Sequence, residues 1–369
     1  MPRWAVALFL VLLAAPAPVP VMAQGRVVHV YNWTDYIDPY AIARFQHETG
    51  ITVRYDVYDS LETLEAKLLA GKSGYDVIVP SAEPTFARLI RAGALMPVDR
   101  ALVPRMAQLD PALMARVAGS DPGNRHGGIY LWGSTGLGQI PAKILARLPD
   151  APLDSWDLLF KPENARRLAG CGITLMDSAT DTIPTVLKYL GRDPNSAEAA
   201  DLALVEQTLM AIRPFVRAFV SGGAVEALAG GEICLAMTYS GDVIQAAARA
   251  REAGPKGASP TIVRYATPRE GAQLSFDMLA IPADAPHKAE AHAFIDFMLR
   301  PDVMAGITNQ VRYPNAVPAS KVGIRAEILN DPNIYPSAEV AARFFTVGAV
   351  PQAAERARTR MWARVKAGR

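Results

Sequence analysis

The chain has 369 residues, of which 50% are hydrophobic and 20% are charged, so it can bury a large core and is long enough for two domains. Its formal net charge of +2 gives no overall attraction to nucleic acid or to a membrane surface. No run of Lys and Arg, no repeat and no low-complexity tract stands out.

Residues 1–23 have the pattern of an export signal. Arg3 supplies a positive charge, and residues 5–15 form an apolar run that is too short to span a bilayer. We therefore expect a signal peptide that is cleaved near Ala23 and a mature chain that begins near Gln24, with an uncleaved anchor as the alternative. No later apolar segment is long enough to cross a membrane, so the mature protein is expected to be soluble and exported.

Strand and helix patterns alternate in the first part of the mature chain. Asp38 and Pro39 give a helix cap and a first-turn proline, and Gly50 gives the stop of that helix. The predicted order is strand 26–32, helix to Thr49, strand 51–58, helix 61–69, strand 75–80 and a helix that carries Phe86, Leu89 and Ile90. This alternation predicts a parallel sheet covered by helices.

The rest of the chain contains further strands and helices joined by looser segments. Predicted strands are 129–139, 172–176, 233–238 and 274–281, and predicted helices are 182–190, 243–251, 287–299 and a basic helix near 356–366. Residues 254–259 are predicted to form a return linker. The glycine-rich segment 129–139 is interpreted as a strand crossing into a second domain, with Gly133, Gly136 and Gly138 as hinge or close-packing positions.

Polar side chains follow two of the predicted parallel strands. Trp33, Thr34 and Asp35 come after the first strand, and Ser81 and Glu83 come after the third. Ligands of open α/β sheets bind just outside the carboxyl ends of strands, so these groups are candidates for a binding site. The alternatives are a core Trp beside a capping Asp, and a Glu83 that merely favours a helix amino terminus.

Asp277 is the most informative single residue, because it lies inside the apolar strand LSFDMLAIP. Burying an ionised carboxylate without a partner costs several kcal/mol, so either a core Arg or a bound cation is expected to pair with it. Asp181 and Asp242 also follow predicted strands, and helix capping is the alternative role for each.

The acids are accompanied by aromatic residues. Trp33, Tyr239, Phe276 and Tyr313 lie close to them in the sequence or in the expected fold, and no matching set of basic residues does. Acids and aromatics together suit a ligand that is cationic and partly apolar, such as an organic polycation.

Catalytic, metal and cofactor sites find little support. The five His residues show no pairing with a nucleophile motif, and the chain has no G-x-S-x-G, H-E-x-x-H or Walker sequence. We therefore expect a binding protein rather than an enzyme, with no cofactor and no metal. Cys171 and Cys234 are the two cysteines; in an oxidising compartment they can pair, and two buried free thiols are the alternative.

In several segments the chain resembles the periplasmic polyamine-binding proteins of bacterial ABC importers, most of all their putrescine-binding branch. The segments that carry the resemblance are HVYNWTDYI, FQHETGITVRYDVYDS, GYDVIVPS, DSWDLLFKPEN, LKYLGRDPNS, SGDV, FDMLAIPADA, LRPDV and RTRMWARVK. The resemblance covers almost the whole mature chain. It implies an α/β fold of two lobes, a type II periplasmic binding protein, in which each lobe is a mainly parallel sheet with flanking helices and the ligand lies between the lobes.

The resemblance also implies a set of ligand-binding residues. The positions that match the family's site are Trp33, Thr34, Asp35, Ser81, Asp181, Tyr239, Asp242, Asp277 and Tyr313, and Cys171 and Cys234 match a disulfide pair. Three positions depart from the family: Ser275 replaces a pocket aromatic, Glu83 replaces a small polar residue, and Tyr239 replaces a Trp. The departures at Ser275 and Glu83 imply a pocket that accepts a longer or more highly charged amine, such as spermidine or agmatine, as well as putrescine.

The expected protein is therefore a monomeric solute-binding protein of the periplasm that hands a polyamine to an inner-membrane ABC permease and has no nucleic-acid partner. Expected lobe limits are residues 24–131 with about 258–303 for the first lobe, and about 132–257 with about 304–369 for the second. A sensor module that presents an amine to a signalling receptor is one alternative, and a secreted enzyme acting on an amine is another.

Overall fold

A computed structural model of the chain describes Met1 and residues 25–220, 223–253, 261–348 and 350–368. Apart from Met1, the predicted signal peptide lies outside the described residues. Its cleavage site and the predicted linker 254–259 also lie outside them. No helix in the described part of the chain is both long and apolar enough to cross a membrane.

Eleven strands of the described residues join in one sheet, in the spatial order β2-β1-β3-β10-β5-β8-β6-β7, with β4 and β11 paired to β10 and β9 paired to β5. The strands are β1 Val27–Trp33, β2 Thr52–Tyr58, β3 Val77–Ile78, β4 Leu95–Met96, β5 Gly127–Gln139, β6 Ile173–Met176, β7 Ala218–Val220, β8 Leu235–Tyr239, β9 Arg264–Ala266, β10 Ala272–Pro282 and β11 Phe344–Phe345.

Helices cover this sheet. They are α1 Pro39–Thr49, α2 Leu61–Leu69, α3 Ala87–Arg91, α4 Pro111–Arg116, α5 Pro141–Leu145, α6 Asp157–Phe160, α7 Pro162–Leu168, α8 Ala179–Tyr189, α9 Ala199–Ile212, α10 Ala224–Ala229, α11 Ser240–Ala253, α12 Lys288–Met298, α13 Pro301–Val311, α14 Ala326–Leu329, α15 Ala338–Ala341 and α16 Gln352–Ala367. In α1 the Asp38 carboxylate accepts the Tyr40 N–H, and Gly50 ends the helix in the left-handed conformation with φ 68°.

The direction of the strands changes across the sheet. β1 is parallel to both β2 and β3, which confirms the parallel arrangement predicted for this part of the chain. β10 is antiparallel to β3 and to β5, and β5 is antiparallel to β8. The long strands β5 and β10 therefore join the two halves of the sheet, as predicted for residues 129–139.

The buried side chains form two large clusters on either side of these joining strands. The first contains Val28, Phe45 and Phe294, and the second contains Trp156 and Leu175. The α/β architecture with two lobes that the sequence predicts is thus present. The lobe limits themselves stay a prediction. Most of the buried apolar residues of the segment 303–317 pack in the first cluster, whereas the sequence predicts that residues 304–369 belong to the second lobe.

Close packing explains the glycines of β5. A Cβ at Gly133 would lie 2.9 Å from the Tyr313 ring, and a Cβ at Gly138 would lie 2.8 Å from a methyl of Leu228. These contacts favour the close-packing interpretation of the two positions. Because Gly133 has no side chain, the Tyr313 ring can pack directly against its backbone.

A disulfide joins Cys171 to Cys234 in the second half of the chain, as predicted from the resemblance. Their Cα atoms are 5.4 Å apart and 63 residues apart in the sequence. The bond ties the start of β6 to the start of β8, two strands that are also paired in the sheet.

Candidate functional site

A cavity of about 540 Å³ lies where the two halves of the sheet meet. Eight of the eleven predicted ligand-binding residues line it: Trp33, Thr34, Ser81, Tyr239, Asp242, Ser275, Asp277 and Tyr313. A smaller recess of about 60 Å³ also has Trp33, Tyr239 and Asp242 in its wall, and Asp181 lines this recess.

Asp277 stands in β10 with its carboxylate held by two hydroxyl groups. The Ser81 hydroxyl donates to Oδ1 at 2.6 Å, and the Tyr36 hydroxyl donates to Oδ2 at 2.7 Å. Ser81 is brought there because it follows β3 and bridges to Asp277 in an antiparallel pair. The residue is 9% exposed, so the carboxylate is fixed in orientation and almost removed from water.

Asp242 lies in the first turn of α11, directly after β8. The Tyr313 hydroxyl donates to Oδ1 at 2.9 Å, and the Thr238 hydroxyl donates to Oδ2 at 3.3 Å. Tyr313 packs in the first core cluster, so this hydrogen bond links the two halves of the molecule. Asp242 is the third residue of α11 rather than its cap, and its carboxylate is held by these two hydroxyls and lines the cavity.

Asp181 lies in the first turn of α8, where the capping residue is Ser178. The Ser178 hydroxyl donates to Oδ2 at 2.5 Å, and the Tyr239 hydroxyl donates to the same oxygen at 3.2 Å. Gln273 and Thr135, which face each other across the β10–β5 ladder, donate to Oδ1 at 3.3 and 3.5 Å. Asp181 is therefore not the cap of α8, and four donors fix its carboxylate in the recess.

These three carboxylates have neutral hydrogen-bond donors and no cationic partner in the described part of the chain. Of the described Lys, Arg and His side chains, none lies within 4.0 Å of the Asp181, Asp242 or Asp277 oxygens. Burial raises the pKa of each carboxyl to about 6, and the hydroxyl donors only partly oppose that shift. The core Arg considered as a partner for Asp277 is therefore not found among the described residues.

Three of the hydroxyl donors are tyrosines, one for each carboxylate, and they stay protonated. Burial, followed by the nearby carboxylates, raises the pKa of Tyr36, Tyr239 and Tyr313 well above the usual value. Rings also form the walls: Tyr36 and Tyr313 meet edge to face with centroids 4.9 Å apart. Trp33 and Tyr58 are packed at 4.6 Å.

Two predicted residues line neither the cavity nor the recess. Asp35 has a left-handed backbone with φ 54°, its side chain is 61% exposed, and its Oδ2 is 3.4 Å from a guanidinium nitrogen of Arg249. Glu83 follows Ser81, but its carboxylate accepts a hydrogen bond from the Ser120 hydroxyl and lines a different cavity.

Other residues of the site were not predicted from the sequence. Tyr36 and Tyr58 line the cavity, whereas Thr135 and Gln273 donate to Asp181. Tyr36 belongs to the predicted WTDY segment, so its nearness to Trp33 was the available signal. Thr135 and Gln273 gave no local signal, because they meet Asp181 only through the pairing of β5 with β10.

The arrangement suits capture of a cation rather than chemistry on it. Carboxylates already oriented by hydroxyl donors can accept hydrogen bonds from ammonium groups, and the ring walls can pack on methylenes and face a positive charge. Two halves joined by crossing strands, with such a cavity between them, define a type II periplasmic binding protein.

Comparisons with known proteins agree with that class. The model of the family described as bacterial extracellular solute-binding protein matches residues 40–334. The chain is 45% identical over 363 residues, 98% of both chains, to the putrescine-binding periplasmic protein SpuD of Pseudomonas aeruginosa. It is 44% identical over 349 residues, 94% of this chain and 93% of the relative, to the putrescine-binding periplasmic protein PotF of Escherichia coli.

A solved structure of a binding protein has the same fold. The spermidine/putrescine ABC transporter substrate-binding protein PotD from Streptococcus pneumoniae superposes with a TM-score of 0.73 at 25% identity, covering 93% of this chain and 99% of that one. The chain belongs to the bacterial extracellular solute-binding proteins. It is a binding protein rather than an enzyme, as predicted.

Proposed function

We propose that this protein captures a polyamine in the cavity between its two halves and delivers it to an ABC permease. The observation that carries the proposal is the set of three buried carboxylates, Asp181, Asp242 and Asp277, which have hydroxyl or amide donors and no described cationic partner. A bound polycation would supply the missing positive charges.

The position of the carboxylates suits a chain with a cationic group at each end. Asp277 lines the main cavity, Asp181 lines the recess, and Asp242 lines both. A linear diamine could place one ammonium against Asp277 and the other against Asp181 or Asp242. Its methylenes would then lie against the Trp33 and Tyr239 rings, which border both spaces.

Water exclusion would strengthen this binding. A charge-assisted hydrogen bond is worth more in a buried site than in water, because the effective dielectric constant is lower. The strands β5 and β10 cross between the two halves, and bending of these strands could bring the halves closer together. Closure around the ligand would bury both ammonium groups with their carboxylates.

The names of the relatives support the same ligand class, since SpuD and PotF are named for putrescine and PotD for spermidine and putrescine. We extend this to export, with cleavage of the signal near Ala23, to action in the periplasm as a monomer, and to an inner-membrane permease as the recipient.

Calorimetric titration of the mature protein, freed of co-purified ligand by unfolding and refolding, tests the proposal. The panel contains putrescine, cadaverine, agmatine, spermidine and spermine, with 1,4-butanediol as the uncharged match to putrescine. We expect saturable one-to-one binding of at least one amine and none of the diol. A folded protein that binds no amine, or that binds the diol as well as the diamine, would contradict the proposal.

A further inference from the structure

A second cavity, of about 240 Å³, adjoins the main one and is here called the rear cavity. Its wall includes Glu83, Ser120, Asn195 and Ser275. Among the described residues, Ser275 alone lines both the rear cavity and the main cavity. A small side chain therefore stands at the wall that the two spaces share.

Glu83 has an unused acceptor in this space. One carboxylate oxygen accepts the Ser120 hydroxyl at 2.8 Å, whereas Oε2 is buried and has no hydrogen-bond partner among the described residues. Burial also raises the pKa of the carboxyl. Leaving a buried acceptor unpaired is costly, so such a group in a folded protein calls for a physical explanation.

The neighbouring cations lie too far away to hydrogen-bond to Glu83. Arg91 and Arg88 act on the carboxylate only through their charge; Arg91 is exposed to solvent, and Arg88 is held by Glu65 and by Glu355. Arg116 lines the rear cavity but is exposed to solvent. The carboxylate therefore remains available to a cation that enters the rear cavity.

The backbone places Glu83 close to the main site. Ser81 donates to Asp277, and the chain is extended at Glu83, with φ −124° and ψ 141°. Because an extended chain advances at most about 3.6 Å per residue, the Cα atoms of Ser81 and Glu83 are at most about 7 Å apart. The Glu83 backbone therefore lies beside the residue that holds the Asp277 carboxylate.

We propose that the rear cavity is a further subsite, in which Glu83 pairs with an additional cationic group of a triamine whose other groups occupy the main cavity. The chain of the ligand passes beside Ser275. This inference rests on the proposed polyamine function and deepens it, because it assigns the ligand class as amines longer than a diamine.

The test compares putrescine with spermidine by calorimetry in the wild-type protein, Glu83→Gln and Glu327→Gln. Glu327 is a matched control, because it is an exposed glutamate on α14 that lines none of the cavities described above. The readout is the ratio of the putrescine Kd to the spermidine Kd. We expect Glu83→Gln to lower this ratio about tenfold or more, since a hydrogen bond to a charged group is lost, and Glu327→Gln to leave it unchanged.

A second variant keeps the test decisive if Glu83→Gln folds poorly. Ser275→Phe places a bulky ring at the wall that the two cavities share and is expected to lower the same ratio. An unchanged ratio in both variants would overturn the subsite, and so would a wild-type protein that binds putrescine more than tenfold tighter than spermidine. Absence of binding to either amine in the wild-type protein would overturn the proposed function as well, which separates the two failures.

Discussion

Replacing Asp277 with Asn removes one of the three buried carboxylates while keeping the size of the side chain. In the ligand-free protein this carboxyl has its pKa raised by burial from 3.8 to about 6. A shift of one unit corresponds to about 1.36 kcal/mol, so at pH 7 the ionised group lowers the free energy of unfolding by about 3 kcal/mol. Asn removes that cost.

The substitution also has a cost of its own. Ser81 and Tyr36 both donate to the carboxylate, whereas the Asn amide can accept only one of these hydrogen bonds. A lost hydrogen bond costs about 1 kcal/mol. The net result expected for Asp277→Asn without ligand is a rise of about 1–2 kcal/mol in the free energy of unfolding, measured by urea denaturation at pH 7.

Ligand binding should change in the opposite sense. Truncating one partner of a buried charge pair costs about 2–5 kcal/mol, so the Kd for putrescine should rise at least about thirtyfold. Asp76→Asn is the matched control: Asp76 is also buried in the first half of the chain, but it accepts backbone N–H groups of His29 and His287 and lies outside the cavity. We expect that control to lose stability and to keep its affinity.

Two results would refute this reasoning. One is an Asp277→Asn protein that binds putrescine as tightly as the wild type, which would remove Asp277 from the site. The other is a ligand-free variant that is several kcal/mol less stable than the wild type. That result would mean that the Asp277 carboxylate stabilises the fold and is not an uncompensated charge of the ligand site.

Three further predictions follow from the geometry. Because the folded protein holds protons on Asp181, Asp242 and Asp277 up to about pH 6, the contribution of these groups to ligand-free stability should fall as the pH rises from about 4 to 6, and putrescine should bind more tightly at pH 7 than at pH 5; tighter binding at pH 5 would contradict this. In Gly241→Ala the added Cβ would overlap the Tyr313 ring and displace its hydroxyl from Asp242, so calorimetry should show weaker putrescine binding. Gly170→Ala is the control, because a Cβ there meets nothing within 4 Å, and it should bind putrescine normally. Replacing both Cys171 and Cys234 with Ala should lower the free energy of unfolding by about 2–5 kcal/mol, measured with urea, and leave the putrescine Kd unchanged, because neither residue lines the cavity; an altered Kd would show that the disulfide shapes the site.

Local chemistry made much of the fold predictable. The limits of α1 agree with prediction because Asp38, Pro39 and Gly50 each satisfy a requirement of the helix ends. The alternation of strands and helices likewise predicted the parallel pairing of β1 with β2 and β3. What the pattern could not give is the partner of β10, since alternation of apolar residues specifies the faces of a strand and not its neighbours.

The same distinction applies to the site. Asp277 could be recognised because a carboxylate inside an apolar strand needs a partner wherever the strand lies. Asp35 was expected to contact ligand, but the left-handed turn at this residue directs its carboxylate to solvent and Arg249. Thr135 and Gln273 reach Asp181 only because their strands are paired, and no spacing along the chain encodes that meeting.

The most direct test of the central claim is proton release on binding. Putrescine should be titrated into the protein at pH 6 and at pH 8, each in two buffers of different ionisation enthalpy, so that the number of protons exchanged is obtained from the difference in heat. If ammonium groups pair with Asp181, Asp242 and Asp277, whose pKa values burial raises to about 6, binding at pH 6 must drive protons off these carboxyls. We predict net proton release at pH 6 that disappears at pH 8. Binding at pH 6 without proton release, or with proton uptake, would contradict the account.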